Sequence, residues 1–510
     1  MLVHGIVNKD GVRAGGATAM DAILGLDTQQ PKVDSRLGGA ISEARLRASS
    51  LGRPVLFRVH ASATNARPDT LLEAADTAGV GWFYWHDPVA GQTVVAVDSA
   101  GAPEAEDERI ARSGGCFESR EQVMDVPLVT GETVDPDQPL RVGGFAFGSG
   151  LPTDGGPWTG WPWRHLPAPT IQLTRVAGGE GATLVVSAGV TARSTPSGTL
   201  RRIRRALGLV LAAGRRPDVV GVQHRDLCCD HTASVDACEY QSWDTRVCDA
   251  LKAIENGELR KVVLARSERI NAPDGHVFDP LATLEVLKDR HPTSFTFGVG
   301  RPDGRCFVGA SPELLVRIKD GVLETVAMAG TASRAASPDD DDRLARGLLE
   351  SAKEREEHAF VVDAISAALA PLCEDLEVPN SPTIRRLTHV QHLATPIRGR
   401  IREGVTIVDV AAALHPTPAV GGVPRDAALR WLRDNEGLER GWYAAPLGWV
   451  GSDGDGVLAV GIRSAMLDGA EAHAFAGAGL VAGSTPEAEW AETSLKLQTV
   501  AGALRSRRIR

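Results

Sequence analysis

The chain has 510 residues, 43% hydrophobic and 24% charged, enough for a large bilobed domain or two domains with a sizeable core. A formal charge of −10 excludes a nucleic-acid partner held on a basic surface. No charged-then-apolar leader and no apolar run of about eighteen residues occurs, so a cytoplasmic protein with no membrane contact is expected.

Residues 1–45 are rich in Gly, Asp and Ala without sustained periodicity, and read as an N-terminal extension of unclear order. Residues 46–236 read as the β-rich first part of one large domain. Their short β-branched or aromatic segments are GRPVLFRVHAS, VGWFYWHDP, QTVVAVDSA, LRVGGFAFGSG and ATLVVSAGVTA, with one short amphipathic helix, DTLLEAADTA. GSGLPTDGGPWTGWPWRHLPAP reads as a long irregular loop. Seven cysteines, an odd number, make no disulfide framework. The patch with His224, Cys228, Cys229, His231 and Cys238 lacks the spaced cysteine pair of a zinc knuckle, so its thiols are taken as buried or linker thiols.

Residues 237–505 are mixed. The pattern predicts a helix at WDTRVCDALKAIENGEL, a strand at KVVLARSERI, a helix at DPLATLEVLKDRH and the strands SFTFGVG, RCFVGASPELLVRIK and LETVAMAG. One long helix is expected at about 338–370, then the segment THVQHLATPIRGRI, a helix at 406–414, and a loop HPTPAVGGVPR opening another helix. Two strands, GWYAAPLGWVG and VLAVGIRSAML, precede HAFAGAGLVAG and a terminal helix. Strands mostly follow strands, which argues for an α+β fold with antiparallel sheets.

Gly477, Gly479 and Gly483 give G-x-G-x-x-x-G with no strand left to follow, the wrong spacing and place for a dinucleotide fingerprint. Ser484 and Thr485 are capping candidates for the helix that follows, with Glu487 placed as in a capping box. At 100° per residue Glu489, Glu492 and Lys496 share a face, beside an apolar stripe of Trp490, Leu497, Val500 and Leu504. That face is either a solvated surface with a Glu492–Lys496 pair, or one wall of a cation site. Ser337, Pro338 and the aspartates 339–342 read as a helix start with no chemistry. Further on, Val361, Ala364, Ile365, Ala368 and Leu372 define an inward stripe. Extended backward, it includes Glu354 and Glu357, puts His358 at its margin and points Lys353 and Glu356 elsewhere. Carboxylates on an apolar face need a partner, a proton or a cation. Two helices with E-x-x-E and only oxygen donors suit a single Mg²⁺ completed by an anionic substrate.

Lys261 alternates with Val263 and Ala265 on one face of an apolar strand; it is either a snorkelling strand-end lysine or a desolvated base. Glu313, after a proline turn, is either a turn carboxylate or an acid kept protonated by apolar surroundings.

LRKVVLAR, GASPELL, AGTASR, SAKEREEHAFVVD, VQHLATPIRG, HPTPAVGG, RGWYAAPLGWV, AVGIRSA and GAGLVAGSTPEAEWAETSLKL occur in this order. Together they resemble the chorismate-utilising enzymes, most closely the isochorismate synthases among them, over about 240–505 and more loosely before. The resemblance implies two large packed antiparallel β-sheets with helices outside, and Mg²⁺-dependent chemistry on chorismate. It implies Glu357 and Glu492 as direct metal ligands and Glu354 and Glu489 as water-mediated or second-sphere partners. Lys261 would be the base that activates water for attack at C2, and Glu313 the acid that protonates the departing C4 hydroxyl. Arg463, Tyr443, Lys496 and the backbone at Gly477 and Gly479 would bind substrate carboxylates, with Thr331 and His392 lining the pocket.

Relatives that use ammonia carry glutamine where Lys261 stands, and the aminodeoxychorismate type carries a lysine in PIKG where this chain has Arg398. Salicylate-forming relatives place threonine at the position of Ala419. The resemblance thus favours water as nucleophile and isochorismate, destined for menaquinone or siderophores, as product. No amidotransferase subunit is expected, and a monomer is. Salicylate-forming and anthranilate-type activities are the alternatives. A non-catalytic chorismate-binding protein would lack one of Lys261, Glu313, Glu357 and Glu492, and all four are present.

Overall fold

The computed structural model describes residues 30–52, 55–63, 66–98, 128–129, 138–148, 155–179, 181–214, 225–226, 237–386 and 390–508. His224, Cys228, Cys229 and His231 lie outside them; Cys238 is exposed on the helix Ala237–Glu255. A twelve-stranded and a nine-stranded sheet pack face to face, with helices outside and a small three-stranded sheet beside them. Nearly every pairing is antiparallel; the two-residue strand Leu128–Val129 adds a parallel edge. Strands from the first half, such as Val55–Ser62 and Gly81–Asp87, share the larger sheet with Lys261–Asn271 and Glu471–Leu480.

Both faces of the larger sheet are covered, and the alternation of Gly81–Asp87 shows how. Phe83 and Trp85 enter the core between the sheets, while Trp82 and Tyr84 enter the layer under the helices. Trp158, in the loop before Arg164, fills the centre of the inter-sheet core. It lies 5.6 Å from Phe475, 5.2 Å from Phe307 and 5.8 Å from Trp161, measured between ring centroids. Gly441 has φ of 50°, and a Cβ there would meet the Trp158 ring at 2.0 Å, so only glycine fits. Trp158→Ala is expected to cost about 3–5 kcal/mol of stability, read from denaturant unfolding; a loss under about 1 kcal/mol would show that this core collapses around the gap.

Several expectations are corrected. The helix Gln30–Leu51 crosses the boundary set at residue 45, so 30–45 is not loose chain. Pro196–Gly214 is a helix within the stretch read as β-type; its Arg pairs and scattered leucines hid the 3.6-residue period. The single helix expected at 338–370 is two, Pro338–Glu350 and Ala352–Leu369. They break at Ser351, whose extended backbone lets its side chain accept from the Glu354 N–H. The runs RCFVGASPELLVRIK and VLAVGIRSAML are each two strands in different sheets. Cys306–Ser311 and Ser464–Asp468 pair in the twelve-stranded sheet, Leu314–Lys319 and Gly456–Val460 in the nine-stranded, so within each run the chain crosses between sheets, and the two crossings lie side by side.

Candidate active site

The two crossings place two side chains. At the first, Glu313 follows Pro312; its N–H donates to Ser311 Oγ at 3.2 Å and its carbonyl accepts from the Val460 N–H at 3.1 Å. At the second, Arg463 takes φ of 53°, a left-handed backbone uncommon outside glycine, and its carbonyl accepts from the Ala310 N–H at 3.2 Å. Each crossing is thus locked to the other, and both residues face a cavity of about 280 Å³.

All fourteen residues singled out from the sequence line that cavity. Lys261, Val263 and Ala265 stand opposite Gly479 and Gly477, in a register pairing Val263 with Gly479 and Ala265 with Gly477. A Cβ on Gly479 would come within 3.0 Å of Lys261 Cε, so the glycine makes room for the lysine rather than for a phosphate. Lys261 is 7% exposed, and its Nζ donates to Glu357 Oε1 at 2.8 Å. Across the cavity Lys496 Nζ donates to Glu492 Oε1 at 2.6 Å and to the Gly477 carbonyl at 2.8 Å.

The carboxylates come from two helices. Glu354 and Glu357 project from Ala352–Leu369, and Glu489 and Glu492 from Pro486–Ala501. Each helix is fastened by residues with no role in the sequence reading. His358, expected at the stripe's margin, is buried, and its Nε2 bonds Thr395 Oγ1 at 2.7 Å. Arg266 donates to Thr493 at 2.9 Å and Ser494 at 2.8 Å, with its guanidinium 3.8 Å above the Trp490 ring. Thr485, not Ser484, caps the terminal helix, accepting from the Ala488 N–H at 3.3 Å; Ser484 accepts from the Val481 N–H and hydrogen-bonds Glu489. Lys353, expected to point away, lines the cavity. Asp341, in the acidic helix start, is a buried anchor bonded by Arg334, Arg386 and the Ala335 N–H.

Charge is concentrated here. Burial raises the Glu313 carboxyl to about 7, against the pull of Lys261, Lys496, Arg463 and Arg385. Burial and then neighbouring Glu357 raise Glu354, and burial, with Glu492 and Glu357, raises Glu489. Burial also acts upward on Glu492, but Lys496, Arg463 and His392 hold it below the usual carboxylate range. Lys496 and Arg463 are lowered by burial. Burial and the cations beside it push His392 down to about 4, so it is neutral at pH 7. Its Nδ1 is 3.2 Å from the Gly330 carbonyl, which assigns the proton to Nδ1. Tyr443, stacked on Phe475 at 5.4 Å, is pushed up to about 12 by burial and remains a neutral donor.

Four glutamates around one cavity, two of them, Glu354 and Glu489, raised by burial and by acidic neighbours, offer oxygen donors that fit a hard divalent cation. Among the described residues no three acidic, His or Cys side chains form a ready-made cage. The donor set therefore suits Mg²⁺, which keeps waters and takes substrate oxygens, better than a closed structural site.

A sequence profile described as "Chorismate binding enzyme" matches residues 40–505. The chain belongs to that family. The salicylate biosynthesis isochorismate synthase of Pseudomonas aeruginosa is 47% identical over 268 residues, 52% of this chain and 56% of that protein's length. The isochorismate synthase MenF of Bacillus subtilis is 31% identical over 427 residues, covering 83% of this chain and 87% of that one. The solved structure of the menaquinone-specific isochorismate synthase MenF of Escherichia coli superposes with a TM-score of 0.69 at 23% identity, covering 91% of this chain and 99% of that one. This chorismate-binding enzyme thus shares the fold of that synthase, two large antiparallel sheets with outer helices. Among its described residues no helix is long and apolar enough to cross a membrane.

Proposed function

We propose that this chorismate-binding enzyme is a Mg²⁺-dependent isochorismate synthase, moving the hydroxyl of chorismate from C4 to C2. The observation carrying this reading is that Lys261 and Glu313 share one cavity with the four glutamates and with Arg463. Glu357 and Glu492 would hold the ion, with Glu354 and Glu489 acting through water. Bound there, the ion would neutralise substrate carboxylate charge and orient the ring. Lys261 takes the proton of the water attacking C2. Glu313, whose carboxyl burial raises to about 7, gives its proton to the departing C4 hydroxyl. Arg463, Tyr443, Lys496 and the N–H groups at Gly477 and Gly479 grip the carboxylates, with Thr331, His392 and Ala419 shaping the wall.

The names of the relatives support isochorismate as product; its use for menaquinone or siderophore synthesis, in a cytoplasmic monomer without an amidotransferase subunit, completes the proposal. The test is to incubate purified protein with chorismate, with and without Mg²⁺ and EDTA, and to separate the products. Unchanged chorismate removes the reading; salicylate with pyruvate moves it to the lyase branch.

A pH profile follows from Glu313. Burial favours its uncharged form, so it keeps its proton up to about 7 where an exposed glutamate has lost it. Only the protonated form donates, so kcat/KM is expected to fall as pH rises through about 7. In Glu313→Gln that alkaline limb disappears along with most of the rate. A wild-type profile flat through this range would remove Glu313 as the acid.

A further inference from the structure

The strand of Lys261 and the cavity wall beside it are tied together by a charge pair withdrawn from solvent. Arg440 and Glu436, one helical turn apart in sequence, are 4% and 3% exposed. The guanidinium donates to both oxygens of Glu436, at 2.8 and 2.6 Å. It also donates to the Val420 carbonyl at 2.8 Å and the Val263 carbonyl at 2.6 Å. Glu436 in turn accepts from the Ala265 N–H at 2.8 Å. The fork rests on the Phe147 ring, 4.1 Å below it. Val263 and Ala265 belong to the strand that Lys261 opens, and Val420 follows Ala419 in the turn that walls the cavity. That turn meets the strand again where the Val263 N–H donates to the Gly421 carbonyl at 2.9 Å.

We infer that the Glu436–Arg440 pair is a positioning element for product choice: it fixes the Thr417–Gly421 turn against the strand carrying Lys261, so that Ala419 confines the ring and its side arm. The inference rests on the function proposed above. Apolar side chains could fill the same volume, but they would leave two carbonyls and one N–H buried without partners. A lysine could reach one of these groups; only a planar five-donor fork reaches two carbonyls and a carboxylate together.

A wall free to withdraw gives the side arm of isochorismate room to fold over the ring. There the competing elimination takes place. The C3–O bond breaks, the hydrogen on C2 passes to the side-arm methylene carbon, and pyruvate leaves behind an aromatic salicylate. Atoms and electrons balance without an oxidant.

The experiment uses the full chain with chorismate and Mg²⁺, comparing wild type, Arg440→Lys and Glu436→Gln. Isochorismate, salicylate and pyruvate are quantified, corrected for enzyme-free breakdown of isochorismate. Arg440→Lys is expected to lower kcat about 10- to 100-fold through misplacement of the base strand and wall. It should also raise the pyruvate-to-isochorismate ratio several-fold, by an amount not additive with that of Ala419→Thr. A ratio equal to wild type, with only turnover and unfolding midpoint lowered, makes the pair a plain structural tie and overturns the inference. So does full additivity with Ala419→Thr. Should Glu436→Gln not fold, Arg440→Lys, which keeps the charge, decides the matter. A wild type that leaves chorismate unchanged sinks the parent function instead, so the two failures are distinguishable.

Discussion

Replacing Lys261 with alanine is expected to lower kcat by about 10²–10⁴-fold while chorismate still binds. The side chain is nearly buried and its hydrogen bond goes to Glu357 inside the cavity, while the other ties of its strand run through Val263, Ala265 and Arg266, so its removal disturbs little beyond the cavity. What it removes is the only lysine on the base strand and the cation 2.8 Å from Glu357. Losing that cation leaves Glu357 more available to a divalent ion, so the Mg²⁺ midpoint should hold or tighten while the rate collapses. That combination separates a proton acceptor from a metal-site residue. Chorismate binding is read by calorimetry and turnover by product formation; a variant with near-normal rates ends the role of Lys261 as base.

Glu492→Gln should have the opposite signature. Removing a direct ligand is expected to weaken Mg²⁺ binding by more than the roughly 10- to 100-fold typical of outer-sphere partners, with activity falling in parallel. Glutamine keeps the volume and can still accept from Lys496, now 2.6 Å from the carboxylate, so the helix should stay folded. A Mg²⁺ titration of rate, with Mn²⁺ binding followed by electron paramagnetic resonance, reports the loss. Excess Mg²⁺ should restore part of the rate. A titration superimposable on wild type takes Glu492 out of the metal shell.

That these residues line one cavity was legible because most of them sit on regular elements. Helical spacing brought Glu354 and Glu357 to an inward face and Glu489 and Glu492 to one shared face, and strand alternation placed Lys261 with Val263 and Ala265. The ordered motifs then linked segments far apart in the chain. The supports stayed hidden for a physical reason. Arg266, His358, Glu436 and Arg440 are held by partners distant in sequence or by backbone groups, and no local period marks such contacts. The clue available for the last pair was its i,i+4 spacing, with Arg440 opening the RGWYAAP motif. The two sheet crossings were hidden as well. Pro312 and Gly461 interrupt runs that otherwise read as single strands, and hydropathy does not report which sheet a strand joins.

Those crossings bear on how such a catalyst could be altered. Lys261 lies near the margin of its sheet, with only the two-residue strand Gly422–Val423 outside it among the described residues, so that flank, with the Glu436–Arg440 tie kept, is the place to admit another nucleophile. Glu313 and Arg463 offer no such freedom, because each is a corner at which the framework turns. On the proposed roles, redesign of this scaffold should therefore leave the Glu313 side alone and spend its diversity on the Lys261 side.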